Sequence, residues 1–342
     1  MQQRRPSAVL RVVLATLLAS AGAVLLVAGL LSALGPDDAL GPDGPEAILG
    51  TPPPAATPIP AAPTSTPAPG ASAATPGIVT LVGAGDIADC ASDADEETAR
   101  LVEGLSGIVF TLGDNAYENG SEDEFATCFD PTWGRFKDRI ELPVPGNHEY
   151  GTEDAAGYRA YFGERAVRDG RTWYSTDVGA WHVVVLDSTC DEVEGGCGPD
   201  SPQVRWLRED LAASDARCTL ALFHHPRFSS GEHGSDAAVA PFWDALYEAG
   251  ADLILNGHEH SYERFAPLAP TGDRDDERGI VQLIAGTGGR ELRGFGDPVE
   301  HSRLRAAVSH GVLRLDLQPG SWTFQFLSTD GVFSDTGARA CH

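Results

Sequence analysis

Positive charge is scarce in this chain: 24 lysines and arginines face 50 aspartates and glutamates, a formal net of −26 over 342 residues. The first 77 residues hold only Arg4, Arg5 and Arg11 against Asp37, Asp38, Asp43 and Glu46, so the deficit belongs to the remainder. Such a surface repels polyanions, which argues against nucleic acid or an anionic membrane face as partner. An anionic substrate would need a strong local positive field. No C-x-x-C pair occurs among Cys90, Cys128, Cys190, Cys197, Cys218 and Cys341, which speaks against a zinc knuckle or a thioredoxin-like motif. Nor is there an internal repeat, which sets aside repeat architectures.

What is present divides the chain in three. Residues 1–35 carry three arginines and then an uncharged run, Val12 to Leu34. That run is about 23 residues, enough to cross a hydrocarbon core of about 30 Å and longer than the usual core of a cleaved signal. It reads as a transmembrane anchor, with a long signal segment as the other reading. Residues 36–77 are rich in Pro, Ala and Thr and cannot bury enough apolar surface to fold; they read as a disordered, semi-rigid stalk. Residues 78–342 have a globular composition and form one expected domain. Either reading of the N-terminus places that domain outside the cytoplasm, membrane-anchored or secreted. An even cysteine count suits disulfides in an oxidising compartment. Cys190 with Cys197, closing a short Gly-rich loop, is the first expected pair; Cys90–Cys128 with Cys218–Cys341 is one of the pairings left open for the other four.

Short apolar runs at Ile78–Ala84, Gly107–Leu112, His182–Leu186, Thr219–Phe223, Leu253–Leu255 and Ile280–Ala285 read as strands buried on both faces. Alternating segments near Trp173–Val178 and Trp322–Leu327 read as antiparallel strands. Between the runs, Pro202 opens a helix with Val204, Leu207 and Leu211 on one face. Pro241 opens another, ended by Gly250. Alternation of this kind argues an α/β fold.

Each run of interest stops at a residue type that binds metals. Gly85-Asp86 follows the first run, and Gly113-Asp114-Asn115-Ala116-Tyr117 the second. Gly146-Asn147-His148-Glu149 follows Leu142–Pro145. His224-His225 closes the fourth, and Gly257-His258-Glu259-His260 follows Leu253–Asn256. The carboxyl ends of parallel strands share one edge of a sheet, where α/β proteins place their ligand sites. Five such ends would deliver Asp, Asp, Asn, His and a His pair to one place. Mixed oxygen and nitrogen donors suit Fe, Mn or Zn.

These five blocks, in this order over residues 80–290, resemble the calcineurin-like metallophosphoesterases and, within them, the purple acid phosphatases. The resemblance implies two packed β-sheets flanked by helices, a four-layer α/β sandwich. It implies that Asp86, Tyr117 and His260 hold a first metal, that Asn147, His224 and His258 hold a second, and that Asp114 bridges them. His225 is the weaker ligand candidate beside His224. Tyr117 is the feature of the purple enzymes, and as tyrosinate it suits Fe(III), with Fe, Zn or Mn as the divalent partner. Such a pair outweighs the charge of two carboxylates and a tyrosinate, leaving a positive cluster able to attract phosphate despite the acidic surface.

The implied activity is that of an acid phosphatase hydrolysing small phosphate monoesters by attack of a metal-bound hydroxide. His148 and His233 are the candidate proton donors and charge stabilisers, His233 because it lies nine residues after His224, as in the purple enzymes. Arg290, after Gly286-Thr287-Gly288-Gly289, and Asn115 are candidate substrate contacts. Two other readings stand beside this one: a phosphodiesterase or nucleotidase on the same metals, or a stalked binding protein that keeps the fold without activity. The segment Gly83–Ala88 also fits a dinucleotide fingerprint, but Asp89, Asp93 and Asp95 make a poor surrounding for a pyrophosphate.

Overall fold

The computed structural model describes residues 77–342. The expected anchor and stalk lie outside the described residues. Among the described residues no helix is long and apolar enough to cross a membrane.

The strands are, in chain order, β1 (Val79–Ala84), β2 (Ile108–Thr111), β3 (Ile140–Leu142), β4 (Tyr174–Val178), β5 (Trp181–Val185), β6 (Cys218–Leu222), β7 (Leu253–Asn256), β8 (Tyr262–Phe265), β9 (Val281–Ala285), β10 (Ser302–Ala306), β11 (Gly311–Gln318), β12 (Ser321–Ser328) and β13 (Ser334–Ala340). They form two mixed sheets, ordered β13-β12-β11-β1-β2-β3 and β10-β8-β9-β7-β6-β5-β4. In the first, β1, β2 and β3 run parallel; in the second, β5, β6, β7 and β9 do.

Side chains on a strand alternate between faces, and the burial follows that period. Leu81, Phe110, Leu313 and Leu315 of the first sheet pack against Val183, Val185, Leu220, Leu222 and Leu255 of the second, making the central core. The intervening residues face outward. Val82, Ala84, Val109 and Val312 lie under the helix Ala94–Glu103 and under Phe125, Phe129 and Trp133. Val184, Ala221, Ile254 and Ile284 lie under the helices Pro202–Ala213 and Ala240–Glu248. Both faces of the central strands are therefore dry, which is why they read as continuous apolar runs.

The expected helix starts agree with the structure. Ser201 caps the first by accepting from the Val204 amide at 3.2 Å, with Pro202 in the first turn and Val204, Leu207 and Leu211 buried. The second holds Pro241 in its first turn, and Gly250 follows its end at φ +76°. The expected Cys190–Cys197 disulfide forms, and of the pairings left open the structure has Cys90–Cys128 and Cys218–Cys341. The last joins the start of β6 to the residue after β13 and so links the two sheets. The expected strands missed β8, β10, β11 and β13 and met β3 only at Leu142: β3, β10 and β13 are short or partly exposed edge strands, and charged residues (Glu263 and Arg264 in β8, Arg314 and Asp316 in β11) interrupt the apolar runs of the two interior ones.

Candidate metal centre

The five motif blocks do reach one place, but not along the edge of a single sheet. Asp86, Asp114 and Asn147 follow β1, β2 and β3 of the first sheet; His224 and His258 follow β6 and β7 of the second. The site straddles the carboxyl edges of both parallel segments. The turns are interlocked by the backbone: the Asp86 amide donates to the Gly113 carbonyl at 3.0 Å, Ile87 to Asp114 at 2.9 Å, and Gly257 to His224 at 3.1 Å.

Three candidate ligands sit in the left-handed region, at φ +59° for Asp86, +50° for Asp114 and +72° for His258. Side chains other than glycine adopt this region at a cost of about 1–3 kcal/mol each, and such strain persists only where the surroundings impose it. Here it turns each donor sharply back over the sheet edge. Close approach accounts for two of the motif glycines. A Cβ on Gly257 would lie 2.7 Å from Asp86 Oδ2 and 2.5 Å from the Leu112 carbonyl oxygen, and one on Gly146 would collide with Asp114 Oδ1.

The side chains fall into two groups that meet at Asp114. In the first, the Tyr117 hydroxyl lies 3.0 Å from Asp86 Oδ1 and 3.4 Å from His260 Nε2, which is itself 3.4 Å from Asp86 Oδ1. In the second, His224 Nε2 lies 3.2 Å from Asn147 Oδ1 and 3.3 Å from His258 Nδ1. Asp114 Oδ2 is 3.2 Å from both the Tyr117 hydroxyl and His224 Nε2, and Oδ1 accepts from the His148 amide at 2.9 Å. Asp86 Oδ2 accepts from the His258 amide at 2.9 Å.

Hydrogen bonds set the ring orientations. Carbonyl oxygens only accept, so a ring nitrogen facing one must carry the proton. His224 Nδ1 donates to Leu112 at 2.7 Å, and His260 Nδ1 donates to Glu291 at 2.8 Å. Each thereby turns Nε2 toward the carboxylates, the usual arrangement for imidazoles that ligate metals.

Burial dominates the protonation balance. It raises the Asp86 carboxyl to about 7 against the opposing charge of His224. Burial also opposes ionisation of Asp114, yet the charge and hydrogen bond of His224, with His148, hold that carboxyl well below its ordinary value. His224 itself is raised to about 9, because Asp114 overcomes the effect of burial. Burial and then the Asp114 and Asp86 charges push the Tyr117 phenol far up. Burial lowers His260 to about 4 and His225 to about 3, and lowers His258 further. Two carboxylates, a phenol and four imidazoles thus crowd together, and among the described residues no lysine or arginine side chain hydrogen-bonds to the carboxylates Asp86 and Asp114 or to Tyr117. Two carboxylates, a phenol, an amide oxygen and imidazole nitrogens stripped of solvent make a donor set that fits hard or borderline cations.

The remaining candidates lie around this core. His148 is part-exposed, packs its ring at a tilt against Tyr117 with 4.5 Å between centroids, and donates from Nδ1 to the Glu118 carbonyl at 2.5 Å. Its Nε2 stands 3.8 Å from Asp114 Oδ2. His233 is exposed, its ring 4.4 Å from that of His258. His225 stands 4.3 Å from the His258 ring and bonds Ser188 Oγ at 2.9 Å. Asn115 is wholly buried; its amide donates to the Val144 carbonyl at 3.0 Å, tying the end of β2 to the segment after β3. Arg290 lies over the Tyr117 ring and is paired with Asp89 at 2.7 Å, with Glu118 at 2.6 Å and with Glu291.

Sequence reasoning quoted Glu149 and Glu259 inside the motifs but gave them no role. Glu149 is fully buried and accepts from three backbone amides, those of Asp114 (3.0 Å), Asn115 (2.7 Å) and Gly146 (2.7 Å). It fastens the second and third blocks together. Glu259 does the same for the loop bearing His233, accepting from Gly234 at 2.8 Å and Ser229 Oγ at 3.1 Å. A glutamate next to a metal-binding histidine at a strand end was the available signal. In the segment Gly286–Arg293 the sequence singled out Arg290 as a candidate substrate contact but gave Arg293 no role. The segment bonds to both halves of the first group, through Arg290 N to Asp86 O and Arg293 N to His260 O, each at 2.9 Å.

Among curated proteins, similarity is found to purple acid phosphatase 18 of Arabidopsis thaliana, 31% identical over 44% of this chain and 36% of that protein. Acid phosphatase type 7 of Homo sapiens is 27% identical over 60% of this chain and 54% of its own length. An uncharacterised protein of Mycobacterium tuberculosis is 30% identical over 52% of this chain and 41% of its own length. The chain spans about half or less of these relatives. The purple acid phosphatase from yellow lupin seeds shares the fold, with a TM-score of 0.62 at 18% identity over 77% of this chain and 54% of that one. The sequence pattern that defines calcineurin-like phosphoesterases matches residues 79–262, more than half of the chain and all five strand-end blocks. This protein therefore belongs to the calcineurin-like phosphoesterase family.

Proposed function

We propose that the protein is an extracytoplasmic phosphoesterase with a two-metal centre, and that it hydrolyses phosphate monoesters as an acid phosphatase. The observation that carries this reading is the position of Asp114, with one oxygen 3.2 Å from Tyr117 of one donor group and 3.2 Å from His224 of the other. Asp86, Tyr117 and His260 would hold one ion and Asn147, His224 and His258 the second, with Asp114 shared. When bound, such ions supply Lewis-acid charge at the ester and a nucleophile at neutral pH.

The chain's own residues do the rest. The Leu112 and Glu291 carbonyls turn the Nε2 lone pairs of His224 and His260 toward the carboxylates, where they would ligate an ion. Tyr117, so hard to ionise in this buried acidic setting, would lose its proton only against a strong positive charge, which favours Fe(III) in its half of the site, with Fe, Zn or Mn as the divalent ion in the other. His148 donates its Nδ1 proton to the Glu118 carbonyl, so only as the imidazolium, with a second proton on the exposed Nε2, would it hand a proton to the departing alcohol. Three disulfides support an oxidising compartment outside the cytoplasm. The similarity to acid phosphatases of plant and human origin supports the monoester preference.

The test is elemental analysis and a visible spectrum of the purified protein, with nitrophenyl phosphate and bis-nitrophenyl phosphate as substrates. Two metals per chain, a tyrosinate–Fe(III) band absent in Y117F, and preferential monoester turnover are expected. A colourless Zn or Mn protein would remove the iron assignment, diester preference would change the substrate class, and a metal-loaded protein without either activity would defeat the proposal.

A further inference from the structure

Resting on that reading, we propose that Arg293 is the residue that grips the phosphoryl oxygens of the substrate, with His233 holding it in place. The two arginines of the segment after β9 differ in what surrounds them. Arg290 faces Asp89, Glu118 and Glu291, and 15% of its side chain is exposed. Its charge is more than compensated, so an incoming dianion gains little from it. Arg293 faces one carboxylate, Glu291, at 3.2 Å, and keeps 27% of its side chain exposed.

Its position is built from both sides. The Arg293 amide donates to the carbonyl of His260 at 2.9 Å, which ties its backbone to a candidate ligand. Its Nη1 donates to His233 Nε2 at 2.6 Å, and the His233 ring lies 4.4 Å from that of His258. The guanidinium therefore stands one ring away from the second donor group, at the exposed rim of the site. A guanidinium has donors only, so the His233 nitrogen it meets must be the acceptor, with the ring proton on Nδ1. While that contact holds, His233 cannot give a proton from Nε2. The contact instead orients a planar, permanently charged fork whose other donors match the oxygens of a phosphoryl group. In a chain of such strong negative charge, a fixed cation at the rim also counters repulsion of the substrate.

The experiment compares metal-loaded wild type, R293A, R293K and H233Q in steady-state hydrolysis of nitrophenyl phosphate, with calorimetric binding of inorganic phosphate. Metal content and thermal midpoint are measured on each. R293A is expected to keep its metals and midpoint while KM and the phosphate Kd rise about tenfold or more, the loss of one charge-assisted contact. R293K should recover part of that loss, and H233Q should raise KM less than R293A does. Unchanged KM and phosphate affinity in a metal-replete R293A, or a loss confined to kcat, would overturn the assignment. Wild type that binds metals yet turns over no phosphate ester would instead defeat the functional reading beneath it.

Discussion

Asp114 is the side chain on which the site closes. Its two oxygens meet Tyr117, His224 and the His148 amide, and although burial opposes ionisation, His224 holds its carboxyl well below the ordinary value. D114N keeps the volume but replaces one oxygen with a donor that faces the Tyr117 hydroxyl or the His224 ring. We expect D114N to lose at least half of its bound metal by elemental analysis and to drop kcat for nitrophenyl phosphate by about a hundredfold or more, since removing shared transition-state charge is costly. Hydrolysis at the wild-type rate would remove Asp114 from its bridging place.

Far from the site, His182 offers a pH test of stability. It is buried, bonded to Asp210 at 2.8 Å and Asp177 at 3.2 Å, and its pKa is raised, first by the Asp210 hydrogen bond and against the effect of burial. A histidine whose folded pKa exceeds its unfolded one adds stability that is fully present below the unfolded value and fades as pH rises through the folded value. The gap in denaturant midpoint between wild type and H182N should be widest near pH 5 and narrow toward pH 9. A gap of constant size across that range would show that the imidazolium charge contributes nothing.

The strand-end turns carry the next level of organisation. Each delivers its donor in a tight, partly strained turn, and the turns are held by buried acceptors rather than by packing alone. Glu149 is the clearest case, because three amides from two different turns converge on one carboxylate. Burial, with the neighbouring Asp114 charge, raises it to about 7 against the pull of the Gly146 and Asn115 amides. E149A would strand the three donors in a dry interior. An unfolding free energy about 2–4 kcal/mol below wild type is expected, since each orphaned buried donor costs about 1–3 kcal/mol and relaxation recovers part of it. Metal affinity should fall with it, because the turns of Asp114 and Asn147 would separate. Urea titration of the metal-free protein isolates the first effect and calorimetric metal binding the second.

Across the whole molecule, stability and site geometry depend on the two sheets staying in register face to face. The central core supplies most of this, through Leu81, Phe110, Leu313 and Leu315 packed against Val183, Val185, Leu220 and Leu222. Cys218–Cys341 adds a covalent link between the sheets and closes a long loop, with 123 residues of separation. Removing a disulfide of this kind costs about 2–5 kcal/mol. C218S/C341S should lose about 2–5 kcal/mol of unfolding free energy in a denaturant titration, whereas C190S/C197S, which opens a separation of only 7 residues, should lose less. Equal losses would show that strain or packing at the bridges, and not loop length, sets the effect.

Much of this could be read before any coordinates. Most central strands announced themselves because both of their faces are dry, and the site because each donor block follows a strand by one to four residues. Edge strands β10 and β13 were silent because solvent on one face removes the apolar run, and the interior strands β8 and β11 because charged residues break theirs. The ligand blocks were legible as local pattern, and so were Ser201 and Pro202 at a helix start, because capping and chain reversal involve neighbours in sequence. What required the folded chain was every relation between distant segments. That two sheets, not one, share the site follows from inter-sheet burial, which no local spacing encodes. Glu149 became a clasp only when turns after β2 and β3 came together. Arg290 and Arg293 stand three positions apart and look alike in sequence; carboxylates from Asp89, Glu118 and Glu291 neutralise one and leave the other at the rim. Donor chemistry is a property of residue type and local order, whereas charge balance and access depend on what the rest of the chain brings within a few ångströms.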